Sequence, residues 1–217
     1  MVKSKKDIKN LRTDFKKSHI DFNNLKEKPI KMFISWLNDV LAIDKEGAIR
    51  CVLSTVSSDN IPSSRVVLLR DVDEKGFTFF TNYTSVKAQD IALNNNVALN
   101  FYWPKLERQV RIIGIATKIS TKDSDSYFKS RPRKSQMGAW ISEQSKVIGL
   151  YYNFMDMLNK LEKKFKGKEV ERPLHWGGYC ISPSKVEFWQ GRPSRLHDRL
   201  VYVNAKNGEW EKERLAP

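Results

Sequence analysis

The densest chemistry in this sequence lies in one short stretch near its end, Glu187-Phe188-Trp189-Gln190-Gly191-Arg192-Pro193-Ser194-Arg195-Leu196-His197-Asp198-Arg199. Trp189 offers a flat apolar face and an indole N–H donor. Arg195, His197 and Arg199 alternate, and in an extended segment alternate residues share a face. Three groups able to carry positive charge on one face repel unless an anion or an electron-rich ring lies opposite, so the segment reads as a binding surface. A second constellation is Tyr127, Arg131 and Ser135. Tyr127 and Arg131 stand four apart in a helical pattern and so share a face. Pro132 then breaks the helix, because the residue before a proline avoids the helical region, and Ser135 can turn back toward the same spot. A phenol, a guanidinium and a hydroxyl there suit a phosphate, although a helix end capped by ordinary polar residues has the same composition. The third is Ser63-Ser64-Arg65 leading to Arg70, with Ser85 and Lys87 beyond. Arg offers a bidentate fork to a phosphomonoester, and a helix starting at Ser85 adds backbone donors and its dipole. Solvated surface charge explains this last group equally well.

The elements that must position these residues follow from periodicity. Residues 1–28 are polar and basic and read as a flexible arm with a short helix. Pro29 opens a helical pattern in which Phe33, Trp36, Leu37, Val40 and Leu41 form one apolar face. After Gly47 the character changes to β-branched runs at 49–56, 65–72 and 77–81, separated by turn clusters, which read as an antiparallel meander. A short helix over 85–94 is followed by strands at 97–103 and 109–119, the second with Ile112, Ile113 and Ile115 lining a core. Helices are expected at 121–130, 138–144 and 150–165, and strands at 178–189 and 200–215, the last turning at Asn207-Gly208. Strand follows strand, so residues 29–217 read as one mainly-β domain, a closed or partly closed antiparallel barrel decorated with helices. Neither GxGxxG nor a P-loop is present.

Composition narrows the classes. The 217 residues are 40% hydrophobic, enough to bury a core, and no apolar run approaches the roughly 18 residues a membrane helix needs. The charged start lacks a secretory signal, so a cytoplasmic protein without a membrane partner is expected. Cys51 and Cys180 show no metal-ligand spacing, and no metal is expected. The net charge of +14 permits nucleic-acid binding. However, aromatic residues are not interleaved with the Lys-rich stretches as base stacking requires, so no nucleic-acid partner is expected.

Taken together, these motifs resemble the pyridoxamine/pyridoxine 5′-phosphate oxidase family. The stretch from Val186 to Arg199, with Arg214-Leu215-Ala216-Pro217 at the end, looks like that family's C-terminal signature. The likeness runs back through Trp176-Gly177-Gly178, Ser130-Arg131-Pro132-Arg133, Gly138-Ala139-Trp140, Glu107-Arg108-Gln109-Val110 and Arg65-Val66-Val67-Leu68-Leu69. The resemblance implies an FMN-binding split β-barrel, homodimeric, with the flavin between subunits. It implies oxidation of pyridoxamine or pyridoxine 5′-phosphate to pyridoxal 5′-phosphate with O2 reduced to H2O2. By matching positions it assigns FMN to Arg65, Val66, Leu69, Arg70, Phe80, Thr81, Ser85, Lys87, Gln109, Gln144, Ser145, Trp189 and Arg199. It assigns substrate to Arg12, Arg70, Tyr127, Arg131 and Ser135, with Arg195 and His197 as the catalytic pair over the pyridine ring. Arg70, Phe80 and Val86 depart from the family's usual Lys, Tyr and Arg, so weaker FMN retention is expected. A nicotinamide-using split-barrel reductase and a basic nucleic-acid module are the alternatives.

Overall fold

The computed structural model of the protein describes residues 14–205 and 208–217. The chain divides into two compact units, a smaller one with the chain up to Ala48, Phe101–Arg111 and Lys185–Pro217, and a larger one with Ile49–Asn100 and Ile112–Ser184. Along the chain the elements are α1 (Pro29–Leu41), α2 (Lys45–Ala48), β1 (Arg50–Val56), β2 (Pro62–Leu68), β3 (Asp71–Asp73) and β4 (Gly76–Asn82). Then come α3 (Val86–Leu93), β5 (Asn96–Trp103), β6 (Arg108–Lys118), α4 (Thr121–Ser130), α5 (Arg133–Ile141) and α6 (Phe154–Lys164). The chain ends with β7 (Trp176–Gln190), β8 (Asp198–Asn204) and β9 (Trp210–Arg214). The protein is mainly β, antiparallel and decorated with helices, as its sequence predicts.

In the larger unit the strands run in the order β2-β1-β5-β6-β7-β4-β3. The expected meander is therefore split. β1 pairs antiparallel with β2, and β3 with β4, but the two hairpins sit at opposite ends of that order. The reason lies at two residues inside the β-branched run 65–72. Leu69 N–H donates to Ile49 O at 2.8 Å, while Arg70 N–H donates to Thr78 O at 2.8 Å. One step of chain thus leaves one strand partner and takes up another, a change that residue types alone do not signal. Ile112 is fully buried, whereas Ile113 and Ile115 are exposed. The three therefore do not line one core.

Helices α4 and α5 pack around Phe128, Met137, Ala139, Val170 and Trp176. Helix α5 begins at Arg133, earlier than the expected 138, and ends at Ile141, so Gln144 lies beyond it. Helix α6 starts later than expected because Asn153 caps it, its side-chain oxygen accepting from Met155 N–H at 2.9 Å. None of its residues is fully buried, and Leu158 and Leu161 only lean on the cluster.

In the smaller unit α1 opens on Pro29, whose fixed φ suits a first helical turn, and buries Phe33, Trp36, Leu37 and Val40. Phe33 meets Phe101 edge-on at 5.0 Å and Trp36 meets Phe188 at 5.2 Å. The C-terminal part of β7 pairs with β8, and β8 with β9. Of the residues expected as a loose arm, 14–28 are fastened within this unit. Lys16 and Lys17 N–H donate to the Glu107 carboxylate at 2.8 and 2.9 Å. Ile20 is buried, and Tyr202 Oη donates to Lys26 O at 2.8 Å. Among the described residues, no helix is long and apolar enough to cross a membrane, and no cluster could hold a metal ion. Both cysteines are free, and burial pushes the Cys51 thiol up to about 12.

Candidate functional site

The larger unit encloses a cavity of about 480 Å³. Val66, Arg70, Phe80, Thr81, Lys87 and Gln144 line it, together with Tyr127, Arg131 and Ser135. Two of the constellations read from the sequence thus share one cavity.

The first group centres on Lys87, in the first turn of α3 and buried. Its ammonium donates to Gln144 Oε1 at 2.8 Å and to Ser85 Oγ at 3.2 Å, and forms no ion pair among the described residues. Thr81 Oγ1 donates to the same Gln144 oxygen at 3.3 Å. Burial, and then the nearby Arg65 charge, pull the Lys87 amine from its ordinary 10.5 down to about 8. Ser85 Oγ donates to Asn82 O at 2.7 Å, so it does not cap α3. The hydroxyl at the helix start belongs instead to Ser145, which accepts from Val86 N–H at 3.4 Å. Arg65 does not line the cavity. Its Nη1 donates to Thr55 Oγ1 at 2.6 Å and its Nη2 to Ser63 Oγ at 2.6 Å. Leu69 is buried in the core.

The second group is built on an aromatic array. Phe80 and Tyr127 stack with centroids 3.8 Å apart, and Trp176 lies parallel to Tyr127 at 6.2 Å. Phe80 pairs with Gly178 across the sheet, where a Cβ would stand 2.9 Å from Phe80 Cε1. Glycine is thus what lets the ring lie there. Arg131 follows the end of α4 in an extended conformation, not on the helix. Its guanidinium carbon sits 4.5 Å over the Trp176 ring, a cation–π contact. Pro132 precedes α5, and Ser135 stands in that helix's first turn. Burial lowers the Arg131 pKa; the Tyr127 hydroxyl opposes the shift, and the Arg70 charge adds to it. Arg131 Nη1 is buried with no hydrogen-bond partner among the described residues. A buried charged donor left unpaired costs about 1–3 kcal/mol or more, and an arriving anion would relieve it. Both groups therefore fit phosphate, and the donor set of Thr81, Lys87 and Gln144 fits the phosphorylated tail of a flavin nucleotide. Asn82 and Trp176 line the cavity as well. Neither stands in a constellation that residue type and spacing mark as phosphate-binding, although Trp176 opens the Trp176-Gly177-Gly178 run.

The third constellation belongs to the smaller unit, and its geometry corrects the expected alternation. Pro193–Arg195 form a 3₁₀ turn in which Ser194 and Arg195 take φ of 56° and 61°, closed by Leu196 N–H to Pro193 O at 3.1 Å. Only from Asp198 onward is the chain a strand, so Arg195, His197 and Arg199 do not share a face by strand periodicity. Arg195 is exposed. Arg192 N–H donates to His197 Nδ1 at 3.1 Å, which requires Nδ1 unprotonated and puts the neutral ring's hydrogen on Nε2. Burial, then the Arg195 charge, lower the His197 pKa, with Asp198 opposing. The imidazole packs on Trp189 with centroids 4.7 Å apart. Arg199 is committed to Glu187, with Nη2 2.8 Å and Nε 2.9 Å from one carboxylate oxygen. Gln109 lies half-buried in β6, and Arg12 lies outside the described residues.

Comparison with known proteins agrees with these features. Residues 42–152 match the family described as pyridoxamine 5′-phosphate oxidase. Residues 176–217 match the pyridoxine 5′-phosphate oxidase C-terminal dimerisation region. The chain is 47% identical over 211 residues to the pyridoxine/pyridoxamine 5′-phosphate oxidase of Haemophilus ducreyi, covering 97% of this chain and 100% of that one. The corresponding oxidase of Flavobacterium johnsoniae is 46% identical, covering 97% and 99%. Among solved structures, PhzG from Burkholderia lata 383, in complex with tetrahydrophenazine-1-carboxylic acid, aligns with a TM-score of 0.86 at 25% identity over 93% of this chain and 100% of that one. A pyridoxamine 5′-phosphate oxidase-related, FMN-binding protein from Nostoc punctiforme shares the fold at TM-score 0.72 and 16% identity, over 89% and 100%.

Proposed function

The chain belongs to the pyridoxamine 5′-phosphate oxidase family, and from that premise we propose that it oxidises pyridoxine and pyridoxamine 5′-phosphate to pyridoxal 5′-phosphate with FMN as cofactor and O2 as acceptor. The observation that carries the reading is the buried Arg131 Nη1, without a hydrogen-bond partner among the described residues, in a cavity shared with Tyr127, Ser135 and Lys87. One cavity thus offers donors for two phosphates, as a phosphorylated substrate beside a phosphorylated cofactor requires.

When bound, FMN supplies the two-electron redox chemistry. The protein's own work is positioning and electrostatics. Tyr127, Arg131 and Ser135 hold the substrate phosphate, which fixes one end of the ring relative to the reacting carbon. Lys87, Thr81, Ser85, Gln144 and Ser145 hold the flavin nucleotide, with Arg65 behind them and the backbone of Val66 to Arg70 alongside. Phe80 keeps its backbone contact and turns its ring to Tyr127. The family resemblance assigns Gln109, Trp189 and Arg199 to the flavin, and Arg195, His197 and Arg12 to the substrate. His197 is neutral with its proton on Nε2, so it donates one hydrogen bond to the substrate and need not act as a base. In this reading residues 29–217 work as one domain of a cytoplasmic homodimer, with each flavin between subunits. The family's C-terminal dimerisation region supports the dimer.

A nicotinamide-using reductase and a nucleic-acid module are not favoured, since relatives at 43–47% identity are named as the oxidase. Purified protein with a flavin absorbance spectrum that consumes O2 with pyridoxine 5′-phosphate, but not with unphosphorylated pyridoxine, is the expected result. Equal oxygen uptake with both would remove the role given to Arg131.

A further inference from the structure

We propose that Asp90 is a built-in counter-charge that sets how tightly the site holds a flavin phosphate, acting on Arg65 across the buried hydroxyl of Thr55. The inference rests on reading Arg65 and Lys87 as the cations of that phosphate site. Asp90 stands on α3 one turn after Lys87 and is 5% exposed. Its Oδ2 accepts from Thr55 Oγ1 at 2.6 Å, and Thr55 Oγ1 in turn accepts from Arg65 Nη1 at 2.6 Å. Arg65 Nη2 stands 3.9 Å from the same carboxylate oxygen.

A structural ion pair is the plainer reading of such a contact, and the geometry argues against it. At 3.9 Å the carboxylate makes no hydrogen bond to the guanidinium. Arg65 is already held by three other acceptors, Leu53 O, Thr55 Oγ1 and Ser63 Oγ. Asp90 is therefore not needed to fix the orientation of Arg65. Its charge does act where the others' dipoles do little, because a buried carboxylate cuts the positive potential that a phosphate dianion would meet. Val86, exposed at the first position of α3, brings no cation to offset it. Two cations and one carboxylate make a phosphate site of reduced charge, suited to holding its cofactor loosely.

The test uses flavin-free protein titrated with FMN and, separately, with riboflavin, which lacks the phosphate, following flavin fluorescence at low ionic strength. Asp90→Asn keeps an acceptor for the Thr55 hydroxyl and removes only the charge. It should bind FMN about three- to tenfold tighter, leave riboflavin binding unchanged, and lose the gain as salt is added. Thr55→Val, which removes the bridge but keeps the carboxylate, should show no such gain. FMN binding that is unchanged or weaker in Asp90→Asn and in a second neutral variant, Asp90→Ser, overturns the inference. Wild-type protein that does not distinguish FMN from riboflavin overturns the phosphate reading and the inference with it.

Discussion

The cavity of the larger unit and the C-terminal segment of the smaller one are both rich in arginine, but they use their charge in opposite ways. In the cavity the cations form no ion pair among the described residues. Among the described residues, Arg131 keeps a buried Nη1 with no hydrogen-bond partner, and Lys87 reaches only neutral oxygens. In the C-terminal segment nearly every guanidinium meets an acid. Glu187 takes Arg199 and Arg111, while Asp198 takes Arg192 and Arg214. Unpaired buried charge lowers stability and is kept where a ligand completes it. Paired charge holds a chain in place, here a loop whose left-handed Ser194 and Arg195 would not persist without support. One region leaves its donors open, the other spends them on holding a loop.

The largest effect should come from Arg131→Met. Charge-assisted hydrogen bonds to a phosphate contribute about 1.5–3 kcal/mol, so KM for pyridoxine 5′-phosphate should rise by roughly 10- to 150-fold, with FMN affinity unchanged. Thermal unfolding of the substrate-free protein should show no loss of stability, because the variant deletes a buried unpaired donor. A clear fall in melting temperature together with an unaltered KM would erase the contrast between the regions.

Glu187→Gln probes the other side. Glu187 is 7% exposed and carries Arg199 by two contacts, so leaving that arginine without its counter-ion should cost about 2–3 kcal/mol. Urea unfolding would show this as a lower midpoint. A variant as stable as the wild type would mean that pairing in the C-terminal segment serves something other than holding it.

How much of this could be read beforehand differs between the same two regions. Tyr127, Arg131 and Ser135 were legible as a cluster because a proline after a helical pattern forces a local turn, and local geometry follows from local sequence. Even there Arg131 joins Tyr127 and Ser135 at the cavity from beyond the helix end and not from a shared helix face. The alternation of Arg195, His197 and Arg199 misled, because Pro193 and two left-handed residues replace the strand it assumes. The split between the two hairpins at Leu69 and Arg70 was invisible, because it depends on partners distant in sequence. Asp90 carried no signal, since an acid on a helix reads as solvated until the buried Thr55 and Arg65 are seen beside it.

Lys87 links the cavity's unpaired charge to pH. Its amine titrates near 8 in the flavin-free fold against an ordinary 10.5, pulled down by burial and then by Arg65. Between those values the folded state binds fewer protons than the unfolded one, so stability of the flavin-free protein should rise with pH there. FMN affinity should run the other way. It is full below about 8, where the ammonium is charged, and declines by up to about tenfold per pH unit above it. Titrations from pH 7 to 10 would show the fall, and Lys87→Arg, which stays charged, should flatten it. A flat wild-type profile would take Lys87 out of the phosphate site.

The smallest effect tests whether the cavity's shortage of charge is a matter of one position. Val86 is 47% exposed at the first residue of α3, where its N–H meets Ser145 Oγ at 3.4 Å. Val86→Arg adds a cation at a helix N-terminus, which the helix dipole disfavours by about 0.3–1 kcal/mol. That cost falls on the flavin-free protein, whereas a bound phosphate repels nothing and gains a partner. Exposure screens the gain, so FMN should bind only about two- to fivefold tighter, with a melting temperature slightly lower without flavin and restored with it. Because the Coulomb terms of two charges on one phosphate add, combining Val86→Arg with Asp90→Asn should give about the product of the two gains. A combined gain far from that product, read in the same flavin titration, would mean that the two side chains act on each other and not each on the phosphate.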